Sequence, residues 1–92
     1  MAKVRIPAQL RSLTGGDRVL DLEGETVAGL IDNLEAQHPG FKERLVDHNG
    51  EPSSFVGIYV GGEDIRFLLG LETPITADTE VSIVPAASGG TT

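Results

Sequence analysis

The sequence has no cysteine and no tryptophan, a single tyrosine, two histidines, and seven lysines and arginines among 92 residues. Without cysteine there can be no disulfide staple, thiolate metal site or thiol nucleophile. A side-chain persulfide is excluded as well, so any sulfur handled by this chain must be carried elsewhere. His38 and His48 both lie in polar stretches, and no His-x-x-x-His pair exists, so no catalytic residue and no metal ligand is assigned. The adjacent Glu63 and Asp64 fall where turn chemistry explains them better than acid–base catalysis. No GxGxxG or Walker spacing is present, and nucleotide binding by this chain alone is not expected. Seven basic against fourteen acidic side chains give a formal charge of −7, which repels phosphate backbones and anionic lipid. Neither nucleic acid nor membrane is therefore an expected partner. The acidity fits solubility or steering onto a basic protein partner, and charge alone does not separate the two. No window approaches the roughly 20 apolar residues of a membrane span, so a soluble, cytoplasmic protein is expected.

A chain this short is expected to form one compact domain, residues 1–86, with a short tail over 87–92. Val4 and Ile6 alternate with Lys3 and Arg5, the period-2 pattern of a half-buried strand that Pro7 ends. After the turn residues Thr14-Gly15-Gly16-Asp17, Leu20 and Leu22 share one face of a second strand, expected to pair antiparallel with the first. Thr26 is placed as an N-cap, followed by Val27, Leu30, Ile31 and Leu34 at helical spacing, with Pro39-Gly40 as the stop. Gly29 inside this helix is expected to mark a close approach to the sheet. Phe41–Val46 reads as a short helical turn, and His48–Ser54 as a polar connector with little order of its own. Phe55–Val60, nearly all apolar, is expected at the centre of the sheet. A turn at Gly61–Asp64 follows, and Val81–Val84 forms the last strand, ending at Pro85. Two strands, a crossing helix and further strands make an α+β roll rather than a serial βαβ fold.

Beyond Pro85 come only small residues, Ala86-Ala87-Ser88-Gly89-Gly90-Thr91-Thr92. Two readings stand side by side. The segment is an ordinary frayed terminus, or its glycines, lacking Cβ, allow it to thread a narrow channel and present a carboxylate to another enzyme's nucleotide.

The helix opening at Thr26-Val27, the segment Leu71-Glu72-Thr73-Pro74-Ile75, and Asp78–Pro85 before Gly89-Gly90 resemble the MoaD/ThiS family of ubiquitin-like sulfur carriers. The resemblance covers essentially the whole chain, and Glu43–Leu45 through Ile58–Val60 and Glu63–Phe67 is most similar to the CysO type. It implies a β-grasp roll with a mixed sheet of about four to five strands packed on one main helix. It also implies a protein co-substrate, not an enzyme. A MoeB/ThiF-like activating enzyme would adenylate the terminal glycine carboxylate, which then becomes a thiocarboxylate that donates sulfide. No cofactor is expected on the carrier itself; ATP is used by the activating partner. The resemblance assigns the reactive carbon to Gly90, with Gly89 beside it. Because Gly90 is joined to Thr91, the family pattern further implies removal of Thr91 and Thr92, with a JAMM-type metalloprotease as the expected agent and Gly90-Thr91 as the processing site. A sulfur-accepting synthase completes the expected partners, in cysteine or sulfur-metabolite biosynthesis. The small subunit of molybdopterin synthase, a protein-conjugating modifier and an interaction module with an inert tail remain alternatives. Phe67, Leu68 and Leu69 are the candidate docking patch, since three consecutive large apolar residues cannot all face the core from one strand; edge-strand packing is the competing explanation.

Overall fold

The computed structural model describes residues 1–85. Its first strand, β1 (Ala2–Arg5), buries Ala2 and Val4 and exposes Lys3 and Arg5, as period-2 alternation requires. It pairs antiparallel with β2 (Val19–Leu22), placing Ala2 opposite Leu22 and Val4 opposite Leu20. The linking segment winds into a 3-10 turn, Ala8–Leu13, that plugs Leu10 into the core.

Helix α1 (Val27–Gln37) starts where expected. The Thr26 side-chain oxygen accepts the Gly29 N–H at 3.2 Å, satisfying one of the orphan donors of the first turn. Val27, Leu30, Ile31 and Leu34 form its buried stripe. Beyond the helix, Gly40 has a φ of +112°, a conformation open to glycine, and the chain turns into the single-turn helix α2 (Lys42–Leu45).

The remaining strands are β3 (Val56–Val60), the two-residue β4 (Glu63–Asp64) and β5 (Glu80–Pro85). Sheet order is β2-β1-β5-β3-β4, with β1 and β5 parallel and every other pair antiparallel. This mixed five-stranded sheet, sharing one core with α1, is the expected β-grasp arrangement. Fully buried Val4, Leu22, Leu30, Leu34, Phe41 and Val81 tie sheet and helices together.

Four expectations need correction. The apolar strand β3 is not the centre of the sheet; β5 is, and β3 lies one place from the edge. Phe55 precedes the strand and is exposed, because its position falls outside the pairing that begins at Val56 opposite Pro85. Residues 61–64 are more than a turn: Gly61 and Gly62, both at positive φ, make the tight connection, and Glu63 and Asp64 already pair with β3. The 48–54 connector is also ordered. Asp47 Oδ1 accepts the N–H groups of Asn49 at 2.8 Å and Glu51 at 3.0 Å, Val46 bridges to Pro52, and buried Ser53 donates its N–H to Leu45.

The fourth correction concerns glycine. A Cβ on Gly29 would meet nothing nearer than Thr26 Oγ1 at 3.6 Å, so no close approach to the sheet explains it. The close approach is at Gly24, where a Cβ would lie 2.7 Å from the Leu30 backbone nitrogen and 2.8 Å from its Cα. Helix backbone cannot yield as a side-chain tip does. Gly24→Ala is therefore expected to destabilise the fold by about 1–3 kcal/mol through overpacking. Gly29→Ala should stabilise it by about 0.5–1 kcal/mol through helix propensity. Urea unfolding midpoints of the two variants should move in opposite directions; a shared direction would contradict the packing described.

Candidate functional site

Two features of the described chain bear on function: the place where β5 ends, and the patch expected at Phe67–Leu69. Pro85 lies opposite Val56, and the parallel partner of β5 runs out beside it into Ile6 and Pro7. Ile6 donates its N–H to the Arg18 carbonyl at 2.7 Å, which brings the approach to β2 to the same end. A groove here is walled by Pro7, Leu10, Arg44, Phe55, Val56 and Pro85. Gly89, Gly90 and Thr91, the expected sulfur-carrying and processing residues, lie outside the described residues.

The Phe67–Leu69 patch is not an edge strand. After two residues of β4 the chain enters a 3-10 turn, Ile65–Phe67, capped by the Asp64 carboxylate accepting the Arg66 N–H at 2.9 Å. Arg66 takes over what a longer strand would have done: its guanidinium donates to the Ser53 carbonyl at 2.5 Å and the Val56 carbonyl at 3.3 Å. Ile65 turns into the core, and the three residues after Arg66 are left outside, Phe67 83%, Leu68 37% and Leu69 67% exposed. Their backbone is nonetheless pinned. Leu68 N–H reaches the Ile65 carbonyl at 2.9 Å, Leu69 N–H reaches Thr73 Oγ1 at 3.1 Å, and Thr73 itself is buried. Thr73 also accepts the Val27 N–H through its carbonyl at 3.0 Å, so the patch is fastened to the start of α1. The structure thus brings Phe67, Leu68 and Leu69 together as an exposed apolar patch on an ordered frame, the kind of surface that partners cover.

Behind Leu69 a second groove runs along α1, past Ala28, Ile31 and Leu71. On its wall Lys42 Nζ donates to Asp32 Oδ1 at 2.9 Å, which holds the ammonium pKa above its ordinary value. The Asp47 carboxyl titrates below its ordinary value, chiefly because the Glu51 N–H binds the charged form. Both groups act on local structure. His38 packs edge-on to Phe41 with ring centroids 6.4 Å apart, and His48 is exposed. Among the described residues no group of three or more His, Asp or Glu is placed to hold a metal ion, and no helix is long and apolar enough to cross a membrane.

Comparison with known proteins adds what the geometry does not carry. The ThiS family model matches residues 4–90. The chain is 44% identical over 89 residues to the sulfur carrier protein CysO of Mycobacterium tuberculosis (strain ATCC 25618 / H37Rv), covering 95% of this chain and 96% of that protein. Among solved structures, a chain of the Amycolatopsis orientalis BexX/CysO complex superposes with a TM-score of 0.90 at 39% identity, covering 98% of this chain and 100% of that one. The small archaeal modifier protein 1 of Methanosarcina acetivorans superposes with a TM-score of 0.81 at 33% identity, covering 97% and 95%.

Proposed function

Because the chain belongs to the ThiS family, we propose that it is a sulfur carrier of the CysO type whose working group is the Gly90 carboxylate, released by cleavage of the Gly90–Thr91 bond. The observation that carries this reading is 44% identity to a CysO protein over nearly the full length of both chains, combined with a chain that holds no thiol. A carrier of this kind is a co-substrate, and it needs a stable body and a reachable carboxylate rather than catalytic side chains.

The chemistry falls to partners. In the first step a Gly90 carboxylate oxygen attacks the α-phosphate of ATP on a MoeB/ThiF-like enzyme, and pyrophosphate leaves. A sulfide equivalent then attacks the acyl carbon, AMP leaves, and a thiocarboxylate remains. The thiocarboxylate sulfur then attacks an electrophilic acceptor held by a synthase in cysteine or sulfur-metabolite biosynthesis, and hydrolysis of the resulting thioester leaves the sulfur on the acceptor and returns the Gly90 carboxylate. A JAMM-type metalloprotease performs the preceding cleavage after Gly90, and the chemistry is cytoplasmic.

ATP–pyrophosphate exchange tests the assignment. A chain ending at Gly90 should support exchange with such an activating enzyme, and a chain ending at Ser88 should not. Equal exchange from both, or none from either with an enzyme proven on another carrier, would sink it.

The exposed patch supplies the docking surface. Replacing Leu68 and Leu69 with Ser should weaken association with the activating enzyme, read by titration calorimetry, while changing stability by no more than about 1 kcal/mol. A larger loss of stability would mark both residues as core and remove the patch from the account. The likeness to a small archaeal modifier protein supports a second reading, conjugation to protein lysines. It requires a stable isopeptide at Gly90 when the activated chain meets a lysine-bearing target.

A further inference from the structure

Five of the seven basic residues are arginines, and four of them line two grooves walled by the later residues of β5. Arg5 lies opposite Ser82 in the parallel pair. Arg11 Nε donates to the Ile6 carbonyl at 3.2 Å, and the Arg18 carbonyl accepts the Ile6 N–H at 2.7 Å. Arg44 walls the groove that contains Pro85, and Arg66 is bound to the carbonyls of Ser53 and Val56. The two lysines, by contrast, are paired elsewhere, Lys3 with Asp21 and Lys42 with Asp32. Arg5 and Arg66 are partly neutralised by Glu80 and Asp64. Arg11, Arg18 and Arg44 have no ion-pair partner among the described residues.

These three side chains line two separate grooves, both walled by the end of β5. Arg11 and Arg18 stand with Arg5, Val19 and Val84 in one; Arg44 stands with Phe55 and Pro85 in the other. Together the grooves carry four arginines and one acidic side chain, Glu43. In a chain of charge −7 this is a local reversal of sign beside Pro85, the last of the described residues. Solubility gives no reason to pool positive charge at one end. A basic partner drawn by the net charge would meet the acidic remainder and be repelled from this end. Spread over two grooves, the guanidinium groups suit a ring of separate carboxylates better than a single phosphate.

We propose that Arg11, Arg18 and Arg44 form a cationic collar around the root of the tail that docks on aspartate and glutamate side chains rimming the channel of the activating enzyme. This rests on the carrier reading above and names the chemistry of its partner surface. The collar orients the body so that the tail enters, while Phe67–Leu69 supplies apolar contact. Exposed charges of this kind act on encounter and register, so their effect belongs in KM and in salt dependence rather than in kcat.

The test uses the Gly90-ending chain, ATP–pyrophosphate exchange and a MoeB/ThiF-type activating enzyme proven on another carrier. Arg18→Gln/Arg44→Gln removes two charges whose side chains make no hydrogen bond among the described residues, so its unfolding midpoint should match wild type. Its KM as carrier should rise about tenfold with kcat within about twofold, and adding salt should raise the wild-type KM but hardly move that of the variant. Arg18→Lys/Arg44→Lys should recover most of the loss. Exchange by wild type and Gln variant with the same KM and salt dependence would overturn the collar and leave the carrier reading standing. A rise in the KM for ATP instead of the carrier would overturn the carboxylate rim in favour of phosphate contact. No exchange by wild type would remove the carrier reading, and the collar with it.

Discussion

Phe41→Ala is expected to cost about 3–5 kcal/mol, a large part of the roughly 5–14 kcal/mol that a domain of this length possesses. The ring is fully buried at 0% exposure and stands edge-on to His38, at the joint where α1 gives way to α2. Its carbonyl also accepts the N–H groups of Arg44 and Leu45, so the residue both fills the core and starts the single-turn helix. Truncation leaves a cavity between elements that cannot collapse together, because Gly40 and the Glu35 carboxylate, which accepts the N–H groups of Gly40 and Lys42, hold the joint in place. Thermal unfolding should fall by about 15–30 °C. The urea midpoint should drop with little change in slope. A loss below about 1 kcal/mol would show that the ring is dispensable to the core.

Phe41 also marks the limit of what the sequence reveals. The stripe of α1 is legible because four apolar residues repeat over eleven helical positions, and Thr26 announces its start with a capping oxygen. A helix of four residues has no such period, so the sequence marks the short helical turn over Phe41–Val46, which α2 bears out, without revealing that Phe41 and Leu45 are buried. Strand β3 misleads in the opposite sense. Its apolar run suits a central position, yet place in a sheet follows from pairing partners distant in sequence, and here β5 takes the centre through its parallel pairing with β1. Gly24 is invisible for a related reason: in the sequence Glu23-Gly24-Glu25 is a polar lead-in, and only the approach of Leu30 makes the missing Cβ necessary.

The candidate site divides along the same line. Phe67, Leu68 and Leu69 can be read as a surface patch because three adjacent apolar residues violate strand alternation, and the 3-10 turn at Ile65–Phe67 is the physical resolution of that conflict. The arginine collar leaves no such trace. Its members, Arg11, Arg18 and Arg44, have no common spacing, and they meet only because Ile6 binds both Arg11 and Arg18 while Arg44 walls the groove that contains Pro85. The Gly89-Gly90 assignment rests on chemistry and family likeness, since those residues lie outside the described structure.

Intact mass tests the carrier role most directly. The chain ending at Gly90 and the chain in which Gly90 is still bonded to Thr91 are each incubated with ATP, a MoeB/ThiF-type enzyme and a sulfide source. The expected result is a gain equal to the exchange of one oxygen for sulfur in the Gly90-ending chain and no change in the other, because in the uncleaved chain Gly90 is held in a peptide bond and offers no carboxylate. The uncleaved chain gaining the same mass would contradict the assignment to Gly90. No gain in either chain, with an enzyme that loads another carrier in parallel, would contradict the carrier role itself.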